Sequence, residues 1–321
     1  MKPVLLYYDV LRYRPSTLAT LDEHFQLVRI PDPRHDTDEL LAEVEVATAP
    51  RGHAFDRRKI DRCPRLRVIA SSTVSVPHVD VTYAELRGVR VCSLEGEREI
   101  VASITATAEL AWGLLIALSR RIPWAHHAAV EGRWGGRPWG RRTPRMLSAM
   151  SLGIVGLGRL GRLVAEYGAA FGMRVRYYSP RSVDPVYERC STLVDLARSV
   201  DVVSLHAKHT GETEGMIGRE FLWAMRPGAL LVNTARGELV DEGALLEALE
   251  SGHLGGAALD VLAGEYEPDF QARLAEHPLV RYARTHDNLI LTPHYAGATV
   301  DAWRRAEGRT VDLILRSMGA S

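Results

Sequence analysis

The stretch SLGIVGLGRLGRLVAEYGAAFGMRVRYYS, residues 151–179, constrains the fold more than any other part of the chain. It predicts an apolar strand at 152–155, a glycine loop, a helix and a second strand at 174–178, which together make a βαβ unit. Each glycine of the loop Gly156-Leu-Gly158-Arg159-Leu160-Gly161 has its own task. Gly156 permits the tight turn, Gly158 lets backbone approach a pyrophosphate, and Gly161 lets the helix pack closely on the strand, with the helix N-terminus toward the anion. A bare GxGxxG says little, but one bracketed by strand and helix points to a dinucleotide.

About 20 residues beyond such a loop, NAD-binding chains carry an acid for the ribose hydroxyls. Here that place holds Ser179, followed by Pro180 and Arg181, and Asp184 lies too far past the strand to substitute. A carboxylate would repel a 2′-phosphate, whereas a hydroxyl and a guanidinium bond it, so NADP(H) is preferred and NAD(H) is the alternative. The absent acid carries more weight than Arg181, because Lys2, Lys59 and Lys208 are the only lysines among 40 basic residues and arginine is common.

The same rhythm fills the rest of the chain. Strand-like runs at 4–8, 26–30, 44–48, 67–71 and 89–92 precede the glycine loop, and others at 201–205, 229–232, 256–259 and 288–291 follow it, with helical patterns between them. That predicts an α/β fold of two Rossmann-like or flavodoxin-like parallel-sheet domains with an active-site cleft between them, as 321 residues allow. Residues 99–121 read as one long inter-domain helix and 299–318 as a last helix beyond the final strand. Between them, 131–145 reads as a loop or arm whose Trp134 and Trp139 are placed to pack on a partner subunit.

Composition narrows the partners. Forty acidic residues balance 40 basic ones, which removes the electrostatic case for nucleic acid or an anionic membrane and favours a small molecule. Cys63, Cys92 and Cys190 are widely spaced, with neither a disulfide framework nor a metal site in their pattern. The apolar run around Leu114 to Leu118 is short of a membrane span, the N-terminus does not read as a signal peptide, and a cytoplasmic protein is expected.

Three segments place polar residues just after apolar strands: NTARGELVD around Arg236, ALDVLAGE with Asp260 and Glu265, and TPHYAGAT with His294. Ligands bind outside the carboxyl ends of strands in open α/β sheets, so these side chains are expected beside the glycine loop. Reducing a 2-keto acid needs a hydride donor, a proton donor and a cation to hold the carboxylate. Imidazole is the side chain that changes charge near neutral pH, which suits His294; a carboxylate at Glu265 would stabilise the imidazolium; and Arg236 offers a bidentate fork.

Over nearly its whole length the chain resembles the D-isomer-specific 2-hydroxyacid dehydrogenase family, on the motifs GLGRLG, NTARGELVDEGALLEAL, ALDVLAGE and TPHYAGAT in that order. The resemblance implies a substrate domain of residues 1–103 plus 294–321, a dinucleotide-binding domain of 104–293, and a homodimer formed through the latter. It implies catalytic roles for Arg236, Glu265 and His294, cofactor contacts from Ala235, from Asp260 to the nicotinamide carboxamide and from Thr107, and substrate-carboxylate contacts from the amides of Val74 and Ser75.

Departures from the family pattern are visible. The loop Thr73-Val74-Ser75-Val76-Pro77 lacks the usual glycine, and Glu265 is followed by Tyr266, Glu267 and Pro268 rather than proline, leaving Glu267 as the fallback for Glu265. Arg51 is either a second acid-binding contact on the substrate or a plain surface arginine. A phosphite-type dehydrogenase and a cofactor-sensing scaffold like the family's corepressors are the competing functions.

Overall fold

The apolar runs form parallel sheets, and they form two of them. The computed structural model of the protein describes residues 2–135, 143–267 and 269–319, so the expectation for Trp139 lies outside the described residues. The chain divides into one unit of Met1–Ile104 with Ala298–Ser321 and a second of Thr105–Gly297.

The first unit runs β1 (Val4–Tyr8), α1 (Pro15–His24), β2 (Gln26–Ile30), α2 (Asp38–Glu43), β3 (Val46–Thr48), α3 (Arg57–Asp61), β4 (Val68–Ala70), α4 (Val81–Leu86), β5 (Arg90–Cys92) and α5 (Arg98–Ala102). Its sheet has the order β2-β1-β3-β4-β5, every pair parallel, with Leu6 of β1 between Val28 and Ala47. Strands buried on both faces read as continuous apolar runs rather than alternating ones, as VLLYY does. Leu6, Tyr8, Ala47 and Ile69 face Leu41, Ile60 and Ala84, while Leu5, Tyr7, Val46 and Val68 face Leu21 and, from the end of the chain, Val311 and Ile314.

The second unit runs α6 (Ala106–Ser119), α7 (Ile122–Val130), β6 (Ser151–Val155), α8 (Arg159–Ala170), β7 (Arg174–Tyr178), β8 (Glu188–Arg189), α9 (Leu193–Ser199), β9 (Val202–Leu205), α10 (Arg219–Ala224), β10 (Leu230–Asn233), α11 (Glu242–Glu250), β11 (Gly256–Leu259), α12 (Phe270–Arg273), α13 (Pro278–Ala283) and β12 (Leu289–Leu291). The chain then returns to the first unit as α14 (Val300–Met318), which Thr299 caps by accepting from the Ala302 amide. The seven-stranded parallel sheet has the order β12-β11-β10-β9-β6-β7-β8. Helices α6 and α8 cover one face through Ala108, Leu115 and Val164, and Leu196, Phe221, Leu245 and Leu279 cover the other.

Two expectations change. The single helix read at 99–121 is two, α5 and α6, and they belong to different units. Ser103 Oγ donates to the Ile100 carbonyl at 2.7 Å and Thr105 Oγ1 to Glu109 at 2.5 Å, local bonds that compete with helix continuation without any proline to announce them. By length and mean hydropathy alone Arg98–Ser119 could cross a membrane. The apolar side chains of α6, including Ala108, Ala111 and Leu115, instead lie in the core of the second unit. The edge strand β8 adds to the expected set; its two residues are polar and exposed, so no apolar run marks it.

Candidate active site

The order of the second sheet reverses between β6 and β9, and the glycine loop leaves β6 at that point. Gly156 sits at φ +90°, where a Cβ would lie 2.8 Å from the His206 carbonyl carbon and the Ala207 nitrogen at the end of β9. A Cβ on Gly161 would overlap the Gly156 carbonyl oxygen, so only glycine lets α8 approach this closely. Around Gly158, by contrast, a Cβ would meet nothing within 4 Å. Helices α9 and α11 are capped by the side chains of Thr192 and Asp241, but α8 starts at Gly158 with no side-chain cap, so Arg159 and Leu160 open a first turn whose amides suit an anion. At the end of β10 the Thr234 hydroxyl is buried with no partner among the described residues. An open glycine, an uncapped helix start and an unpaired hydroxyl fit a nicotinamide dinucleotide.

At the end of β7, Ser179 is buried; its Oγ accepts from the Ser182 amide at 3.2 Å and its carbonyl from Arg189 Nη2 at 2.8 Å. Arg181 is exposed. The Asp184 carboxylate is engaged by Arg162 of α8 and by the Val186 amide. No acid takes the ribose position on this strand end. Beside Gly156, His206 Nε2 lies 2.8 Å from Ser204 Oγ, and burial pushes its ionisation down to about 4.

The loops after β10, β11 and β12 carry the remaining candidates. His294 Nδ1 lies 2.5 Å from Glu265 Oε1, both side chains largely buried. Glu267, the alternative, instead pairs with Arg273 at 2.5 Å. The Tyr266 ring stands edge-on to the imidazole with centroids 6.1 Å apart. Arg236 Nη1 donates to the Ala235 carbonyl at 2.6 Å, and Asn233 shapes this turn by donating from Nδ2 to the Arg236 carbonyl and accepting from the Ala235 amide. A Cβ on Gly237 would overlap the Leu262 carbonyl carbon. The Arg236 turn therefore packs directly on the backbone leading to Glu265, which Glu242 also holds by accepting from the Ala263 amide at 2.9 Å.

Asp260 is buried, and its carboxylate accepts from Thr292 Oγ1 and from the amides of Tyr295 and Ala296. Those bonds tie the residues around His294 to β11, within the unit Thr105–Gly297. Thr107, in the first turn of α6, has its Oγ1 3.8 Å from where a Gly297 Cβ would sit.

In the first unit Arg51 follows β3 and is exposed, and Val74 and Ser75 form an exposed turn after β4 in which Thr73 Oγ1 donates to the Ser75 carbonyl at 2.8 Å. His78 ties the two loops together, its Nε2 3.1 Å from the Ala49 carbonyl and 3.3 Å from Ser71 Oγ; burial lowers its pKa. The roles of His78, Asn233, Gly237 and Thr292 escape a reading of the sequence, because each acts through a contact far away in the chain or through backbone.

Residues 112–296 match the model of the D-isomer specific 2-hydroxyacid dehydrogenase NAD-binding domain. The chain is 36% identical over 303 residues to a glyoxylate reductase of Aeropyrum pernix, covering 89% of this chain and 84% of that protein. It is 35% identical over 311 residues to D-3-phosphoglycerate dehydrogenase of Mycobacterium tuberculosis, covering 95% of this chain but 54% of that longer protein. Among solved structures, a Thermus thermophilus protein superposes with a TM-score of 0.82 at 35% identity, over 99% of this chain and 97% of the other. D-lactate dehydrogenase of Aquifex aeolicus, complexed with NAD and lactic acid, gives 0.82 at 26% identity over 98% and 96%. An NADPH-dependent glyoxylate/hydroxypyruvate reductase of Sinorhizobium meliloti, complexed with NADP and malonate, gives 0.76 at 28% over 98% and 93%.

Proposed function

Because this chain belongs to the D-isomer-specific 2-hydroxyacid dehydrogenase family, we propose that it interconverts a small 2-keto acid and its D-2-hydroxy acid, with NADP(H) preferred over NAD(H). The observation that carries the reading is the 2.5 Å contact between His294 Nδ1 and Glu265. It supports a reading in which Nδ1 serves the carboxylate and Nε2 faces the substrate.

A nicotinamide dinucleotide held by Gly156, Gly158 and the first turn of α8 would supply the hydride chemistry. In the reducing direction His294 Nε2 gives its proton to the oxygen of the former ketone, and in the oxidising direction it takes the hydroxyl proton back. Glu265 fixes the ring orientation and stabilises the imidazolium. Arg236 holds the substrate carboxylate and polarises the carbonyl with its planar fork. A serine in place of an acid at 179 and exposed Arg181, with Asp184 turned to Arg162, support the cofactor preference. Arg51, Val74 and Ser75 are proposed as substrate contacts, and a homodimer through the cofactor-binding units, to be checked by sedimentation, completes the reading.

The test is a panel of glyoxylate, hydroxypyruvate and branched 2-keto acids with NADH and NADPH, alongside phosphite. Turnover of a keto acid that is faster with NADPH and falls by about 10²- to 10⁴-fold in His294→Gln is expected. Phosphite oxidation without keto-acid turnover would overturn the reaction class, and equal rates with both cofactors would overturn the preference.

A further inference from the structure

We infer that Asp260 is a positioning residue for His294, its buried carboxylate holding the turn that presents the imidazole. The inference rests on the acid–base reading of His294. Asp260 follows β11 directly and is 1% exposed. Its Oδ1 accepts from Thr292 Oγ1 at 2.6 Å and from the Tyr295 amide at 3.1 Å, and its Oδ2 from the Ala296 amide at 2.9 Å. These donors bracket His294 on both sides in the chain.

His294 itself has φ +48°. A side-chain-bearing residue avoids that left-handed region unless its surroundings impose it. Histidine enters the region more readily than most residues, yet still rarely, so the neighbours that Asp260 grips supply the constraint. A carboxylate has about four lone pairs, and three are given to this turn. The nicotinamide carboxamide contact that the resemblance implies would therefore be a second duty of a group already committed to His294.

The chemistry also says why the residue is an acid. The site asks for an acceptor at every position, since a hydroxyl and two amides all point at it. Asparagine in either orientation would set its NH₂ against one of those donors. Threonine at position 292 supplies the one side-chain donor, and serine would supply the same hydroxyl.

The experiment compares Asp260→Asn, Thr292→Val and Thr292→Ser. Thr292→Val keeps the carboxylate and removes one donor, so it serves if Asp260→Asn does not fold. Amide hydrogen exchange at Tyr295 and Ala296, in protein without cofactor, is read beside kcat, KM and the NADPH dissociation constant. Thr292→Val is expected to speed exchange by roughly tenfold or more, as loss of a hydrogen bond to a charged group implies. It should lower kcat by about 10²-fold, the cost of a misplacement near 1 Å. NADPH affinity and substrate KM should move less than kcat, and Thr292→Ser should restore both readouts.

Unchanged exchange in Thr292→Val and Asp260→Asn overturns the inference whatever the activity. Faster exchange with full kcat, in a protein that His294→Gln inactivates, overturns it as well. Full turnover by His294→Gln would instead overturn the acid–base reading, and the exchange data would still decide whether Asp260 holds the turn.

Discussion

Acidification should weaken the second unit through His206, and the size of the effect follows from its burial. Its ionisation is pushed down to about 4 by the protein around it, against about 6.5 for a histidine in an unfolded chain. Between those values the unfolded chain binds more protons than the folded one, so the free energy of unfolding rises with pH across this window. The stability is present in full above pH 6.5 and is lost as pH falls through the folded value. The whole difference is worth up to about 3 kcal/mol, and about 2 kcal/mol of it is gone by pH 5. This is an upper figure, since His206 keeps some contact with solvent. His206→Gln retains a polar partner for Ser204 and cannot gain a charge. Urea unfolding of both proteins near pH 7.5 and pH 5, followed by tryptophan fluorescence, reads the right unit, because five of the six tryptophans fall between residues 105 and 297. The natural protein should lose about 2 kcal/mol more than the variant, other titrating groups cancelling in the comparison. If the two lose the same amount to within about 0.5 kcal/mol, the buried-neutral account of His206 is wrong.

Two further changes probe one unit each. Lys59 Nζ lies 2.7 Å from Asp36 with both side chains under one-tenth exposed, and it also donates to the Tyr8 hydroxyl, which in turn donates to Asp36. Lys59→Met strands a buried carboxylate and should cost about 3–5 kcal/mol in thermal or denaturant unfolding of the first unit, while a loss under about 1 kcal/mol would show that the pair contributes little. Gly237→Ala forces a methyl into the Leu262 backbone and should separate the Arg236 turn from the Glu265 loop. A fall of about 10²-fold in kcat/KM, with cofactor affinity changed much less, is expected from steady-state kinetics and titration; activity within about twofold of the natural protein would refute the packing argument.

Much of this architecture is legible in the chain because it rests on local signals. Val4–Tyr8 and Gly256–Leu259 read as short apolar runs, Arg174–Tyr178 alternates arginine with apolar or aromatic residues, and the spacing of Gly156, Gly158 and Gly161 announces its own geometry. The break between Ala102 and Ala106 is not, since hydroxyl bonds from Ser103 and Thr105 end a helix without changing its apolar pattern. The same holds for Asp260: motif order marks it, but that its carboxylate faces Thr292, Tyr295 and Ala296 depends on where β12 lies in the sheet. Lys59 stands out as one of three lysines, yet its partner Asp36 and the Tyr8 hydroxyl meet only when α3 packs over β1.

The return of α14 to the first unit sets an order of events during synthesis. Val311 and Ile314 complete the hydrophobic layer that Leu5, Tyr7 and Val68 begin; Leu5 and Tyr7 are made roughly three hundred residues before them and Val68 roughly 240. The second unit, Thr105–Gly297, is one unbroken stretch. Its core residues all precede α14 in the chain, and domains do fold as units during translation. The first sheet, complete by Cys92, has the face of Leu5, Tyr7 and Val68 only partly covered, by α1, until α14 is made. A chain stalled or cut near residue 298 would carry a finished nucleotide-binding half and an unsealed neighbour, a species prone to chaperone capture or aggregation.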